Sequence, residues 1–336
     1  MSRLLEENDR MPPICIAGAG AIGITLGARL ASVGFRVHLI ARGENLSWIQ
    51  KNGIRLLDRE GDHHPHVRVG QASDFGPQRI LFLCAKSYDL PEMAQSLQPL
   101  IASETVILPV INGIPWWYFD GERTDWNGPV VRSVDPRGDL KKLIPSRQVI
   151  GTTTLITAER LNWGTARTFN PLQMTIGELD DKQSARLGDL ATILSVAGIN
   201  TRLVTHIRDA VWTKVVRNLI SNPVTAITGA TLRENFGNHY LADVSRQMLR
   251  EVLPVIEAYG AALEVEPETI VETGRLLGDV KTSMLQDLEK GNPLELASIC
   301  DAVIELAQRR GIKMPVAEAI TALAHFRNPR GTANAA

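Results

Sequence analysis

Lys214, Asn218 and Asn222 stand four apart in the stretch Trp212-x-Lys214-x-x-x-Asn218-x-x-x-Asn222-Pro223. On a helix that spacing puts all three on one face. The residues between them are mostly apolar, so the helix should be packed, and polar side chains on a packed face need partners or a wet cleft. A lysine partly desolvated in such a cleft has a lowered pKa and can hand over a proton near neutral pH. A solvated stripe on a surface helix would show the same spacing, and the local sequence does not choose between the two. Further on, Ser283-Met284-Leu285-Gln286-Asp287 precedes a break at Gly291-Asn292-Pro293. Asn292 is placed to cap a helix with Pro293 in its first turn. Glu295 then falls in that turn, where it either complements the helix dipole or faces a cleft as the partner of Lys214.

A second constellation is Gly18-Ala19-Gly20-Ala21-Ile22-Gly23. In a dinucleotide-binding turn the first glycine makes the tight bend, the second lets a pyrophosphate approach the backbone, and the third lets helix and strand pack closely. The helix that opens there offers free N–H groups and the positive end of its dipole. The motif follows an apolar strand and opens a helical pattern inside a βαβ unit, the context that gives it weight. The next strand ends in Ile40-Ala41-Arg42-Gly43, with no carboxylate for ribose hydroxyls. A guanidinium suits a 2′-phosphate, so the expected cofactor is NADP, as NADPH. Glu44 close by keeps alive a reading in which Arg42 only faces solvent. Lys86 ends the third strand, where it points into the ligand crevice and could meet cofactor phosphate or ribose. Asn112 follows the fourth strand. Its amide can donate and accept at the nicotinamide end, or Asn112-Gly113 is a plain turn.

The elements that must hold these residues are legible. Apolar runs at 14–17, 35–40, 80–85 and 105–108 read as strands buried on both faces. Helical patterns at 21–33 and 89–101 alternate with them, which implies a doubly wound sheet. Further strands are expected at 148–156, 173–177 and 199–204, with a helix at 184–197. From residue 207 the texture is helical to about 328. The expected fold class is therefore an α/β Rossmann-type N-terminal domain with a doubly wound, mostly parallel sheet, followed by an all-α C-terminal domain. The domains are set at 1–206, with 1–11 as a flexible extension, and 207–336, with a frayed tail.

Composition narrows the function classes. The 336 residues carry 36 Lys and Arg against 37 Asp and Glu, a balance unsuited to bulk electrostatic binding of nucleic acid. No apolar run approaches the ~18 residues of a membrane span. The N-terminus, polar and of mixed charge, lacks the apolar core of a signal peptide, which points to the cytoplasm. Cys15, Cys84 and Cys300 are sparse and far apart, as reduced buried thiols would be. His63, His64 and His66 lack the acid or cysteine spacing of a metal site and read as a polar loop or hairpin tip. Pro115-Trp116-Trp117-Tyr118-Phe119 either shapes a pocket or packs a core.

Taken together, and in this order along nearly the whole chain after residue 13, these features resemble the ketopantoate reductase (2-dehydropantoate 2-reductase) family. The lysine–asparagine block and the Ser283–Asp287 block are far more specific than the glycine motif. The resemblance implies that Lys214 is the general acid, with Glu295 contacting both the lysine and the ligands. It implies that Asn218, Asn222 and Ser283 bind substrate, and that Asn112 sits between substrate and cofactor. The implied reaction is NADPH-dependent reduction of a small 2-oxo acid to a 2-hydroxy acid, foremost 2-dehydropantoate to pantoate in pantothenate biosynthesis. Two departures bear on the substrate. Leu232 stands where family members can carry a further substrate asparagine, after Thr228-Gly229-Ala230 in place of the usual Pro-Asn-Gly. Glu295 lies in Pro293-Leu294-Glu295-Leu296-Ala297-Ser298, where the family often shows Glu-Ile-Asp. A same-fold oxidoreductase for another oxo acid or an opine is the alternative, and a non-catalytic NADP-binding sensor is a third reading. The sensor would keep the glycine turn but has no need of Lys214 and Glu295. No nucleic acid or membrane partner is expected, and a homodimer is left open.

Overall fold

The computed structural model describes residues 13–121, 129–169 and 171–328. The extension read at 1–11, and the tail beyond Asn328, lie outside them. The chain divides into two compact units. One takes the described residues up to Ile111 together with those of Phe119–Gly128 and Asp139–Ile207. The other takes Asn112–Tyr118, Pro129–Gly138 and the described residues from Arg208 onwards.

The first unit begins with β1 (Ile14–Ala17), α1 (Ala21–Ser32), β2 (Val37–Ile40) and α2 (Gly43–Asn52). It continues through β3 (Arg55–Asp58), β4 (Gly61–His63), β5 (Arg68–Gly70), β6 (Ile80–Leu83), α3 (Leu90–Ser96) and β7 (Val106–Pro109). After α4 (Asp139–Leu143) come β8 (Gly151–Leu155), β9 (Ala158–Asn162), β10 (Thr165–Thr168), β11 (Gln173–Gly177), α5 (Ala185–Val196) and β12 (Asn200–Leu203). Five strands form a parallel sheet in the order β5-β2-β1-β6-β7. Every residue of β1 and β6 is buried, as their unbroken apolar runs require of strands covered on both faces. The order reverses at β1, so the carboxyl ends of β1 and β6 lie side by side. That is the crevice in which open α/β sheets bind ligands.

The strands read at 148–156, 173–177 and 199–204 are present as β8, β11 and β12. They form a separate three-stranded sheet, β12-β11-β8, with β8 antiparallel to β11. Among the described residues, an isolated bridge from Val149 to Ile107 is what pairs this region with the first sheet. A further sheet, β4-β3-β10-β9, escaped the sequence reading. Its strands are short, and β9 is half-exposed and polar, without an apolar run. α1 packs against β1 and β2 and also against β3, β9 and β10, which explains why Gly23–Leu30 are buried throughout. Arg29 in that stretch is 8% exposed, and it bonds Asp58 at 3.0 Å and the Ala197 carbonyl at 3.0 Å. A buried guanidinium is tolerated only with such partners.

The second unit is helical: α6 (Ile207–Leu219), α7 (Asn222–Thr228), α8 (Leu232–Gly237), α9 (His239–Ala258), α10 (Pro267–Leu276) and α11 (Ser283–Glu289). A π-helical segment, Ala297–Asp301, runs into α12 (Ala302–Arg309), and α13 (Pro315–Arg327) ends the described chain. A Thr231–Glu234 capping box starts α8, and the Asn238 side chain caps α9. α9 buries Ala242, Ser245, Leu249, Val252 and Ile256, one stripe at helical spacing. No helix among the described residues is long and apolar enough to cross a membrane.

Candidate active site

The glycine turn is built as the motif requires. Gly18 has φ +109°, and a Cβ there would lie 2.1 Å from the Cys84 carbonyl oxygen at the end of β6. A Cβ on Gly23 would come within 1.8 Å of the Gly18 carbonyl oxygen. These two glycines are demanded by the fold itself. Gly20 is different: a Cβ there meets nothing within 4 Å. Gly20 precedes α1 without a side-chain cap, so the N–H groups of Ala21, Ile22 and Gly23 open the helix toward that space. Asn45 of α2 donates to the Ala19 carbonyl at 3.0 Å and holds the loop from the other side. Nothing in the sequence singled out Asn45. A dinucleotide pyrophosphate fits this cradle.

Arg42 ends β2 and immediately precedes α2. Its side chain is 72% exposed and lies 3.1 Å from Glu92 and 3.5 Å from Asp89. Lys86 is half-buried in extended backbone before the short 3-10 turn Ser87–Asp89.

The other site residues lie in the second unit. Trp212 on α6 donates from Nε1 to the Tyr118 hydroxyl at 2.7 Å, and Arg208 donates to the Tyr118 carbonyl at 2.9 Å. These bonds fasten α6 to the segment Asn112–Tyr118. The aromatic run in that segment is core: Trp116, Trp117 and Tyr118 are all buried. Gly113 has φ +86°, and a Cβ there would sit 2.3 Å from the Ser298 backbone, so only glycine allows this approach to the π-helical segment. Ile114 donates to the Ser298 carbonyl at 2.8 Å. The docking delivers Asn112 to Glu295: its Nδ2 donates to Oε2 at 3.3 Å. Glu295 itself is 4% exposed. Its charge raises the pKa of Lys214, but burial of the amine dominates, and the lysine is pushed down to about 8. The structure thus gathers an amide, a buried carboxylate and a lysine poised near neutrality, beside a π-helical stretch of the kind that clusters at functional sites.

Two local readings were wrong. α6 stops at Leu219, and Asn222 opens α7, so Asn222 does not share a helix with Lys214. Pro223 causes the break. It lacks an N–H, and its ring would clash with the carbonyl of Leu219 in a continuous helix. Nor does Asn292 cap a helix. Residues 292–295 are non-helical, Asn292 donates to the Asp287 carbonyl at 2.8 Å, and Leu294 donates to the Asn328 side chain at 2.9 Å. Glu295 therefore sits just before the helical run, not within its first turn.

Asn222 is 3% exposed, and its Nδ2 is buried without a hydrogen-bond partner. Its Oδ1 accepts from the Ser221 hydroxyl at 3.2 Å. An orphaned buried amide is costly, which is what a donor reserved for a ligand looks like. A bond of 2.7 Å between the hydroxyls of Thr225 and Thr282 ties α7 to the start of α11, where Ser283 is exposed. Asn218 is half-buried one turn beyond Lys214. Arg217 drew no attention in the sequence, yet its Nε is buried without a partner. Burial lowers its pKa and the charge of Glu264 opposes that shift. Among the described residues no group of three or more His, Cys, Asp or Glu could hold a metal ion. His63 and His64 instead pair with Asp58 and Asp62.

Comparison with known proteins is consistent along the chain. Residues 14–119 match the model of the ketopantoate reductase PanE/ApbA family, and residues 206–328 match its C-terminal model. A 2-dehydropantoate 2-reductase of Mesorhizobium japonicum is 33% identical over 312 residues, covering 92% of this chain and 96% of that protein. The structure of a 2-dehydropantoate 2-reductase from Geobacter metallireducens superposes with a TM-score of 0.82 at 25% identity, over 93% of this chain and 99% of that one. A D-mandelate dehydrogenase solved with NADH and anilino(oxo)acetate shares the fold, with a TM-score of 0.81 at 22% identity over 94% of this chain and 98% of that one.

Proposed function

The chain belongs to the ketopantoate reductase PanE/ApbA family, and on that premise we propose that it reduces a 2-oxo acid to the 2-hydroxy acid with NADPH, foremost 2-dehydropantoate to pantoate. The observation that carries the proposal is the grouping of Lys214, Glu295 and Asn112. NADPH supplies the hydride. The residues of this chain supply orientation, charge and the proton.

As the ketone is reduced, negative charge grows on its oxygen. Lys214, at about 8, is roughly nine-tenths protonated at pH 7. It stabilises that charge and then gives up its proton. Glu295 keeps the lysine charged against the cost of burial and accepts from Asn112. That bond fixes the amide, which would meet the reacting end of the bound cofactor. The unpartnered Nδ2 of Asn222 is a donor for an oxygen of the oxo acid, with Asn218 and Ser283 as further polar contacts. At the nucleotide, Gly18–Gly23 cradle the pyrophosphate, and Arg42 with Lys86 meet the ribose and its phosphate.

A different 2-oxo acid is the second reading, and one observation favours it. Leu232 opens α8 with its N–H on the Val280 carbonyl, so that position offers an apolar side chain where an amide could have read the substrate. The two readings are separated by following NADPH oxidation spectrophotometrically across a panel of 2-oxo acids. Fastest turnover with ketopantoate supports the first. Faster turnover with another oxo acid supports the second, and no turnover with any member overturns both.

A further inference from the structure

The expected preference for NADPH rests on Arg42 alone, but Arg42 does not stand alone. Asp89, in the 3-10 turn after β6, and Glu92, in the first turn of α3, both hold its guanidinium at 3.5 and 3.1 Å. Glu44, in the first turn of α2, follows Arg42 by two residues. We propose that Asp89 and Glu92 are specificity-determining residues for the cofactor: they compete with a 2′-phosphate for Arg42 and so hold the chain's discrimination between NADPH and NADH well below what the arginine by itself would give. This inference rests on the assignment of Gly18–Gly23 as the nicotinamide-dinucleotide site.

A ribose 2′-phosphate carries nearly two negative charges at neutral pH. To reach Arg42 it must displace two carboxylates and then lie beside them. A ribose 2′-hydroxyl carries no charge and can donate a hydrogen bond to a carboxylate, the kind of contact that an acid at the end of the second strand makes in NAD sites and that Asp89 and Glu92 would offer from the neighbouring β6 side. The same two acids therefore oppose one cofactor and suit the other. All three side chains are substantially exposed, so each interaction is screened and modest.

The test is direct binding, not turnover. Dissociation constants for NADPH and NADH are measured by fluorescence titration of the wild-type chain, Glu92→Gln and the double variant Asp89→Asn/Glu92→Gln. The expected result is a roughly 1.4- to fivefold rise in NADPH preference for Glu92→Gln, from an exposed ion pair of about 0.2–1 kcal/mol. The double variant should show a larger rise, and raised salt should shrink the differences. An unchanged or lowered preference, with both nucleotides still binding, overturns this proposal and leaves the dinucleotide site standing. Failure of the wild-type chain to bind either nucleotide overturns both.

Discussion

Replacing Glu295 by glutamine removes a charge from the site while keeping the size of the side chain and an oxygen for Asn112 to donate to. Two opposed causes set the pKa of Lys214: burial lowers it and Glu295 raises it, for a net value of about 8. Without the carboxylate only the lowering cause remains, so the lysine loses its proton at lower pH. Opposite charges a few ångströms apart move a pKa by about one unit or more. One unit takes the alkaline limb of kcat/KM from near pH 8 to near pH 7. At pH 7.5 the protonated fraction would drop from about three-quarters to about one-quarter, a roughly threefold loss. In acid the lysine of both proteins is protonated, and this part of the loss vanishes. The assay is kcat/KM against pH for both proteins, since that parameter reports groups of the free enzyme. A limb that stays in place, or moves upward, in Glu295→Gln would refute the electrostatic coupling.

Lys214→Ala should lose about 10²–10⁴ in kcat, as removal of a general acid does, with little change in NADPH affinity by titration. Gly20→Val should abolish cofactor binding while the melting temperature holds, because a side chain there meets no protein atom within 4 Å. Gly23→Ala should behave oppositely, losing about 1–3 kcal/mol or more in denaturant unfolding from overpacking against Gly18. Asn222→Ala should raise KM up to about tenfold, the scale of one hydrogen bond. Its stability cost should stay near that of the one bond Oδ1 accepts from Ser221, about 0.5–1.5 kcal/mol, because Nδ2 has no protein partner to lose. Trp212→Phe should destabilise by about 1–3 kcal/mol, because it removes the buried hydrogen bond from the indole N–H to the Tyr118 hydroxyl.

The sequence carried the parts of this molecule that are written in local patterns. β1, α1 and the glycine turn were readable because a two-face-buried strand, a helical period and a tight turn each impose their own residue types on adjacent positions. For Lys214 and Glu295 the local sequence left a solvent-facing or dipole-complementing reading beside the functional one, and the family resemblance was what singled them out. The four-stranded sheet was not readable. β9 and β10 get their stability from pairing and from packing against α1, and no apolar alternation within them announces it. The break before Asn222 could have been taken from Pro223, but the four-residue spacing was more conspicuous than the proline. Asn45 on the Ala19 carbonyl, and Asp89 and Glu92 on Arg42, are contacts between residues 26 or more apart in sequence. Pairings of that kind have no signature in one chain.

The central claim is hydride transfer to the carbonyl carbon of a 2-oxo acid, with the proton on oxygen supplied by Lys214. It is tested most directly with NADPH deuterated at the transferable position of its nicotinamide, ketopantoate and the other 2-oxo acids as substrates, and mass spectrometry of the product. The account predicts a 2-hydroxy acid with deuterium on C2, formed far more slowly by Lys214→Ala. A product without deuterium, equal rates from the two proteins, or no product from any 2-oxo acid would contradict it.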